Sequence, residues 1–256
     1  MNVLVTGGSG RIGRYVVTEL AAAGHAVTNV DLAPMPTLPG HFLRADLTDA
    51  GEVYGALAYA EAAAVVHLGA WPNAGMVPDP RTYGDNVRGA YNLFQACADL
   101  GIRRIVYASS AQVYGFAGAP PVFVPVTEDH PLRPVNSYAL AKCAAEQAAA
   151  YFIRTRGLEI LSFRFMGVRK PSEIGPEIDA MTADPATGAS LLWTRTDARD
   201  AATACRLALE TTGVEPGPYN ITGAEVVLAQ TGADLAAPIL ATRPRSRASW
   251  RAAGRR

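Results

Sequence analysis

Tyr138 and Lys142 stand four residues apart in a stretch, Asn136 to Tyr151, that reads as helix, so both side chains project from one face. A phenol is a poor base near neutral pH, because its reference pKa is ~10. An ammonium beside it stabilises phenolate and makes it a usable general acid/base for the hydroxyl of a carbinol, and a further positive charge brought by a bound cofactor does the same. Ser110 follows a strand-like run ending near Ala108, at the carboxyl edge where an open α/β sheet binds its ligand. Its hydroxyl could fix the reacting oxygen. Alone, a Tyr/Lys pair at this spacing is an ordinary exposed helical pair, and a serine after a strand is commonplace. Their weight comes from what precedes them.

What precedes them is Thr6-Gly7-Gly8-Ser9-Gly10-Arg11-Ile12-Gly13, which follows an apolar strand-like run and opens an apparent helix. Gly7 permits a tight turn, Gly10 lets the backbone approach a pyrophosphate, and Gly13 lets helix and strand pack closely, with the helix N-terminus facing the negative charge. Such a turn can also be purely structural. Asp31, at the end of the second strand, adds a carboxylate placed to accept from an adenosine ribose and to repel a 2′-phosphate. NAD is therefore expected over NADP, with Arg11 a counterweight because a basic side chain in the turn favours a 2′-phosphate. In that setting Lys142 could also hold the nicotinamide ribose.

The elements that must position these groups alternate. Strands are predicted at Asn2–Thr6, Ala26–Asp31, His41–Ala45, Ala64–Leu68, Arg104–Ala108 and Glu159–Phe165, with alanine-rich helices beginning near Arg11, Asp49, Pro80 and Asn136. This rhythm implies βαβ units and an α/β fold, a Rossmann-type doubly wound parallel sheet. Val168 to Ser190, with its prolines, glycines and mixed charges, reads as an irregular lobe over the strand ends. The expected division is a dinucleotide-binding domain over 1–167, a small substrate lobe over 168–240 whose elements return to the main domain, and a basic tail over 241–256, read as disordered.

The chain has 256 residues, 49% of them apolar, enough for one large core. Its formal net charge of +0 gives no general reason to expect nucleic acid or an anionic membrane as a partner. Cys97, Cys143 and Cys205 lie far apart in helical stretches, which fits buried thiols in a reducing compartment better than disulfides or a metal site. The strand-like start and the lack of a long apolar segment give the expectation of a cytoplasmic protein with no membrane span.

On these residues the chain resembles the extended short-chain dehydrogenase/reductases, specifically the NAD-dependent epimerase/dehydratase family. The likeness covers the stretch before Lys170 and includes the opening turn, Asp46-Leu47, His67-Leu68-Gly69-Ala70, Asn86 in Asn86-Val87-Arg88-Gly89, Ser109 to Gly115, and the Tyr138 to Lys142 motif. Asp197 to Ala202 and Tyr219-Asn220-Ile221 look like later landmarks. The resemblance implies that Asp46 and Leu47 read the adenine, that Leu68, Gly69, Ala70 and Asn86 lie beside the cofactor, and that Tyr138 takes a hydroxyl proton while hydride goes to the nicotinamide. It also implies a homodimer, through the helices near Pro80–Leu100 and Asn136–Arg154.

Departures concern the substrate. The family's dehydratases carry an Asp-Glu pair after the residue matching Ser110; Ala111 and Gln112 stand here and cannot eliminate water. Sugar-nucleotide epimerases usually carry an asparagine where Gly167 stands, and the stretch from Arg164 to Asp197 looks shorter than theirs. In length, and in Asp31-Leu32-Ala33-Pro34, the chain looks like the uronate dehydrogenase branch, where Gln112 and Arg169 could address sugar hydroxyls and a carboxylate. The main expectation is thus an NAD-dependent oxidoreductase of a sugar-like small molecule. A sugar-nucleotide epimerase and a non-catalytic dinucleotide sensor are the alternatives. Closing elements are hard to find after Glu225-Val226-Val227, which leaves open an incomplete family member.

Overall fold

The computed structural model describes residues 1–223. In chain order the elements are β1 (Asn2–Thr6), α1 (Gly13–Ala22), β2 (Ala26–Asp31), β3 (His41–Arg44), α2 (Ala50–Tyr59), β4 (Ala64–His67), α3 (Asp79–Leu100), β5 (Arg104–Ser110), α4 (Ser137–Arg156), β6 (Glu159–Phe165), β7 (Val168–Arg169), α5 (Pro171–Ala183), β8 (Thr196–Asp197), α6 (Ala198–Glu210) and β9 (Gly217–Ile221). Seven strands form one sheet in the order β3-β2-β1-β4-β5-β6-β9, every pair parallel. The strand order reverses between β1 and β4, whose last residues, Thr6 and His67, are register partners. A crevice opens there, at the carboxyl ends, where this architecture binds ligands.

The period-two alternation of the strands sorts their side chains onto two cores. Leu4, Val30, Val65, Ile105, Tyr107 and Ile160 face α2, α3 and α4 and pack with Phe94 and Phe152. Val3, Val5, Val66, Val106, Leu161 and Phe163 face α1 and α6 and pack with Val16, Leu20 and Cys205. Both faces are covered, as the near-continuous apolar runs of a parallel sheet require. Each of these large side chains contributes roughly 1.5–3 kcal/mol by burial.

Helix ends are set by local chemistry. Asp49 accepts from Glu52 N at 3.0 Å to start α2, and Asn136 accepts from Ala139 N at 2.8 Å to start α4. Gly101 and Gly157, both left-handed, end α3 and α4.

Three sequence expectations change. The Arg104–Ala108 strand continues to Ser110, so that serine is a strand residue and not a loop residue. Val168 to Ser190 is not irregular: it carries α5, begun by Pro171, whose fixed φ suits a first turn, and then a 3-10 helix over Pro185–Leu191. Pro176 hid this helix from the pattern, although in the second turn it removes just one backbone donor. α6 and β9 form around the landmarks Asp197 to Ala202 and Tyr219-Asn220-Ile221, where the sequence pattern predicts no element. Residues 224–240, the Glu225-Val226-Val227 segment and the 241–256 tail lie outside the described residues. Among the described residues no helix is long and apolar enough to cross a membrane.

Candidate active site

The glycine turn is shaped by contacts that exclude side chains. Gly7 has φ +67°, and a Cβ on it would meet Gly69 N at 2.7 Å. A Cβ on Gly13 would sit 2.1 Å from Gly7 O, so α1 can approach the strand end only with glycine there. A Cβ on Gly10 would meet Gly7 O alone, at 3.0 Å, so this backbone faces open space, as a cradle for a pyrophosphate needs. Thr6 Oγ1 ties the two strand ends together, accepting from Gly69 N at 3.1 Å and lying 2.6 Å from His67 Nδ1. Burial lowers the His67 imidazole to about 3, with the Lys142 charge adding to the effect, so it is neutral and shares one proton with Thr6 Oγ1.

Asp31 ends β2 with both carboxylate oxygens held by backbone, Oδ2 by Ser9 N at 3.1 Å and Oδ1 by Leu32 N at 2.7 Å. Its carboxylate is thereby aimed into the cleft. Asp46 accepts from Thr48 N at 2.8 Å, which lowers its pKa. Leu47 packs against Gly69 and Gly89. Asn86 clamps the chain beyond Ala70, accepting from Trp71 N at 2.7 Å and donating to Trp71 O at 3.0 Å.

At the opposite end, Tyr138 and Lys142 lie on the first turns of α4, 8% and 4% exposed. Lys142 Nζ donates to Ala108 O at 2.6 Å and lies 5.7 Å from the Tyr138 ring centre. Burial pushes the Tyr138 phenol up to about 12, partly offset by a hydrogen bond with Ser110, and pulls the Lys142 ammonium down to about 7, partly offset by Glu146. Ser110 Oγ accepts from Gln112 N at 3.2 Å, and the Gln112 side chain accepts from Asn136 Nδ2 at 3.2 Å, which locks it to the start of α4.

One cleft of about 1140 Å³ is lined by every site residue named from the sequence, from Asp31 and Asp46 through Gly7, Gly10, Arg11, Ile12 and Gly13 to Ser110, Tyr138, Lys142 and Arg169. Its remaining walls are the segment from Trp71 to Met76 with Arg81 and Asp85 of α3, and α5. On α5, Glu173 pairs with Arg11. Arg169 and Arg195 both grip Glu177, each at 2.5 Å.

A family model described as the NAD dependent epimerase/dehydratase family matches residues 3–222. The chain belongs to that family. It is a family of enzymes, and the match spans all of the elements above. The UDP-glucose 4-epimerase of Lactobacillus helveticus is 32% identical over 189 residues, covering 68% of this chain and 54% of that protein. The UDP-glucose 4-epimerase of Bacillus subtilis is 34% identical over 161 residues, covering 57% and 46%. The chain thus spans about half the length of the curated relatives it matches. Among solved structures, a short-chain dehydrogenase/reductase superfamily protein from Agrobacterium tumefaciens with bound NAD superposes with a TM-score of 0.75 at 29% identity, over 93% of this chain and 82% of that one. The Thermus thermophilus UDP-glucose 4-epimerase complex with NAD gives 0.72 at 27%, over 94% and 83%.

Within this epimerase/dehydratase frame, several residues went unnamed in the sequence. Glu146, one turn beyond Lys142, makes a two-bond pair with Arg164, Oε1 to Nε at 3.0 Å and Oε2 to Nη2 at 2.7 Å, and accepts from Ser109 Oγ at 2.5 Å. The signal was present: Arg164 is a charge between Phe163 and Phe165 in a buried strand, and such a charge needs a partner. Glu173, Glu177 and Arg195 carried no signal, since their pairing depends on where α5 lands.

Proposed function

We propose that this protein binds NAD and transfers hydride at a carbinol carbon of a sugar nucleotide, with epimerisation as the net reaction. The observation that carries this reading is the convergence of Tyr138, Ser110 and Lys142 on the same cleft as the glycine turn and Asp31. The UDP-glucose 4-epimerases among the relatives support the epimerase form over the free-sugar dehydrogenase expected from the sequence.

The backbone cradle at Gly7, Gly10 and Gly13 fits a dinucleotide, and Asp31 fits the adenosine ribose of NAD, repelling a 2′-phosphate. Asp46 and Leu47 face the adenine, and Leu68, Gly69, Ala70 and Asn86 line the path to the nicotinamide. When bound, NAD supplies the hydride acceptor. Tyr138 accepts the carbinol proton through its phenolate oxygen, Ser110 donates to the same substrate oxygen, and Lys142 steadies the phenolate and holds ribose hydroxyls. With about 12 for the phenol in the buried site, positive charge at Lys142 and at the cofactor ring is what makes phenolate accessible near neutrality. Ala111 and Gln112 offer no carboxylate for dehydration. A non-catalytic sensor needs the turn but not the Tyr/Lys/Ser set.

One observation favours a second reading, net oxidation of a smaller sugar. Gly167 has φ +52°, and a Cβ there would meet Leu191 Cδ1 at 2.8 Å, so the asparagine usual in sugar-nucleotide epimerases would enter only by displacing the tip of Leu191. Arg169 then addresses a carboxylate and Gln112 a sugar hydroxyl. Incubation with NAD and a panel of UDP-glucose, UDP-galactose, aldoses and uronic acids separates the readings. Epimer formation without accumulating NADH supports the first, stoichiometric NADH the second, and neither with any member overturns both.

The same reading assigns residues 1–167 to the dinucleotide and 168–240 to the substrate. It also includes a homodimer through α3 and α4, supported by the exposed Tyr91, Leu140 and Tyr151 on those helices. Light scattering that returns a monomer mass contradicts the pairing.

A further inference from the structure

Glu146 and Arg164 are a nearly buried ion pair, their side chains 8% and 4% exposed, that no step of the proposed chemistry uses. Burying two charges costs several kcal/mol, and apolar residues of similar volume would fill such a place at no loss of stability. Their position is informative. Glu146 lies four residues beyond Lys142 and eight beyond Tyr138, on the same side of α4. Its Oε1 takes the hydroxyl proton of Ser109, next to Ser110 on β5. Arg164 spans the other direction: Nη1 donates to Tyr114 OH at 2.9 Å and to Glu128 O at 2.8 Å, and Tyr114 OH donates to Asn220 Oδ1 on β9 at 2.6 Å.

We propose that Glu146 is a positioning residue for the candidate active site: gripped by Arg164 and Ser109, its carboxylate anchors α4 to the ends of β5 and β6 and sets the field in which the Lys142 ammonium operates. The proposal rests on the assignment of Lys142 above. The charged and titratable groups around Lys142 are few. Glu146, Tyr138 and Cys143, whose thiol burial pushes up to about 11, lie on its own helix, Tyr107 of β5 lies under the ammonium at 4.8 Å, His67 of β4 is neutral, and Arg164 of β6 stands behind Glu146. From α3, Asp79 reaches only Ser137, at the start of α4. Among the described residues Glu146 is thus the anion that opposes the burial of Lys142, and it raises that ammonium's pKa. Arg164 is paired with the same carboxylate and should weaken its hold.

A simple structural brace and this field role differ in sign. Removing either partner of a buried pair destabilises the fold, whereas the two removals act on Lys142 in opposite directions. The chain contains just two lysines, Lys142 and Lys170, so protein labelled at the lysine ε-carbon gives two resonances to titrate, without cofactor or substrate. In Glu146→Gln the Lys142 midpoint should fall by roughly one pH unit, in Arg164→Gln it should rise, and in Glu146→Asp it should stay near wild type. Lys170, beside Glu173, serves as the internal control. A Lys142 midpoint unmoved in Glu146→Gln, or moved the same way in both Gln variants, overturns the proposal. Either Gln variant alone reports the sign if the other fails to fold. Because the titration needs no turnover, its failure is distinguishable from that of the hydride-transfer reading, which stands or falls on Tyr138→Phe kinetics.

Discussion

The two long walls of the cleft are held by opposite means. At the turn between β1 and α1, Gly7 and Gly13 pack backbone on backbone, with no side chain to rearrange. Across from it, α5 is held by side-chain ion pairs, Arg11 to Glu173 and Arg169 and Arg195 to Glu177, all partly exposed except Arg195. Steric exclusion is insensitive to salt and pH, while partly exposed pairs are screened and worth little each. We propose that the backbone-packed wall serves cofactor binding and that substrate choice lies with the ion-paired wall.

The largest expected effect comes from breaking the rigid wall. Gly13→Val puts a side chain on Gly7 O, and we expect a destabilisation of about 1–3 kcal/mol in a urea melt together with loss of NAD binding. Wild-type melting and binding in that variant would mean that the turn is not backbone-packed.

Lys142→Met sharpens the contrast through pH. The folded ammonium titrates at about 7, below its ordinary 10.5, so between these values the unfolded chain holds a proton that the fold lacks, and stability climbs as pH rises through the window. Methionine removes that cost. The variant should therefore gain stability over wild type below neutral pH, by a few kcal/mol more than on the alkaline side, while turnover is lost. A pH-independent difference in Tm contradicts the burial of the charge.

Effects on the α5 wall should be smaller. Glu177→Gln leaves Arg195 short of a partner and should cost about 1 kcal/mol, with KM for the sugar changing more than kcat. Glu173→Gln frees Arg11, and NADP binding should improve a few-fold at low salt, an effect that vanishes as salt rises. NADP affinity unchanged at low salt argues that Arg11 does not face a 2′-phosphate.

How much of this was legible before the fold was known follows the same division. Wherever function rests on local chain geometry, as in Gly7-Gly8-Ser9-Gly10 or the i to i+4 pair Tyr138 and Lys142, the residues announced themselves through spacing. Strands β2 and β6 agree to the residue because their apolar runs are bounded by clear breakers. What escaped depends on tertiary approach. Pro176 concealed a helix, Glu177 has two partners that no spacing predicts, and Glu146 meets Arg164 only because α4 packs across β6. The ion pairs of the α5 wall escaped for the same reason, since their partners meet only in the fold.

The most direct test loads wild type and Tyr138→Phe with NAD, adds the responding sugar or UDP-sugar, and follows nicotinamide reduction in a single turnover. The change removes one oxygen and keeps the aromatic ring of a residue that is 8% exposed. The expected result is NAD affinity close to wild type with hydride transfer slowed by about 10²- to 10⁴-fold. Wild-type transfer in Tyr138→Phe would contradict the assignment of Tyr138 as the group that moves the proton.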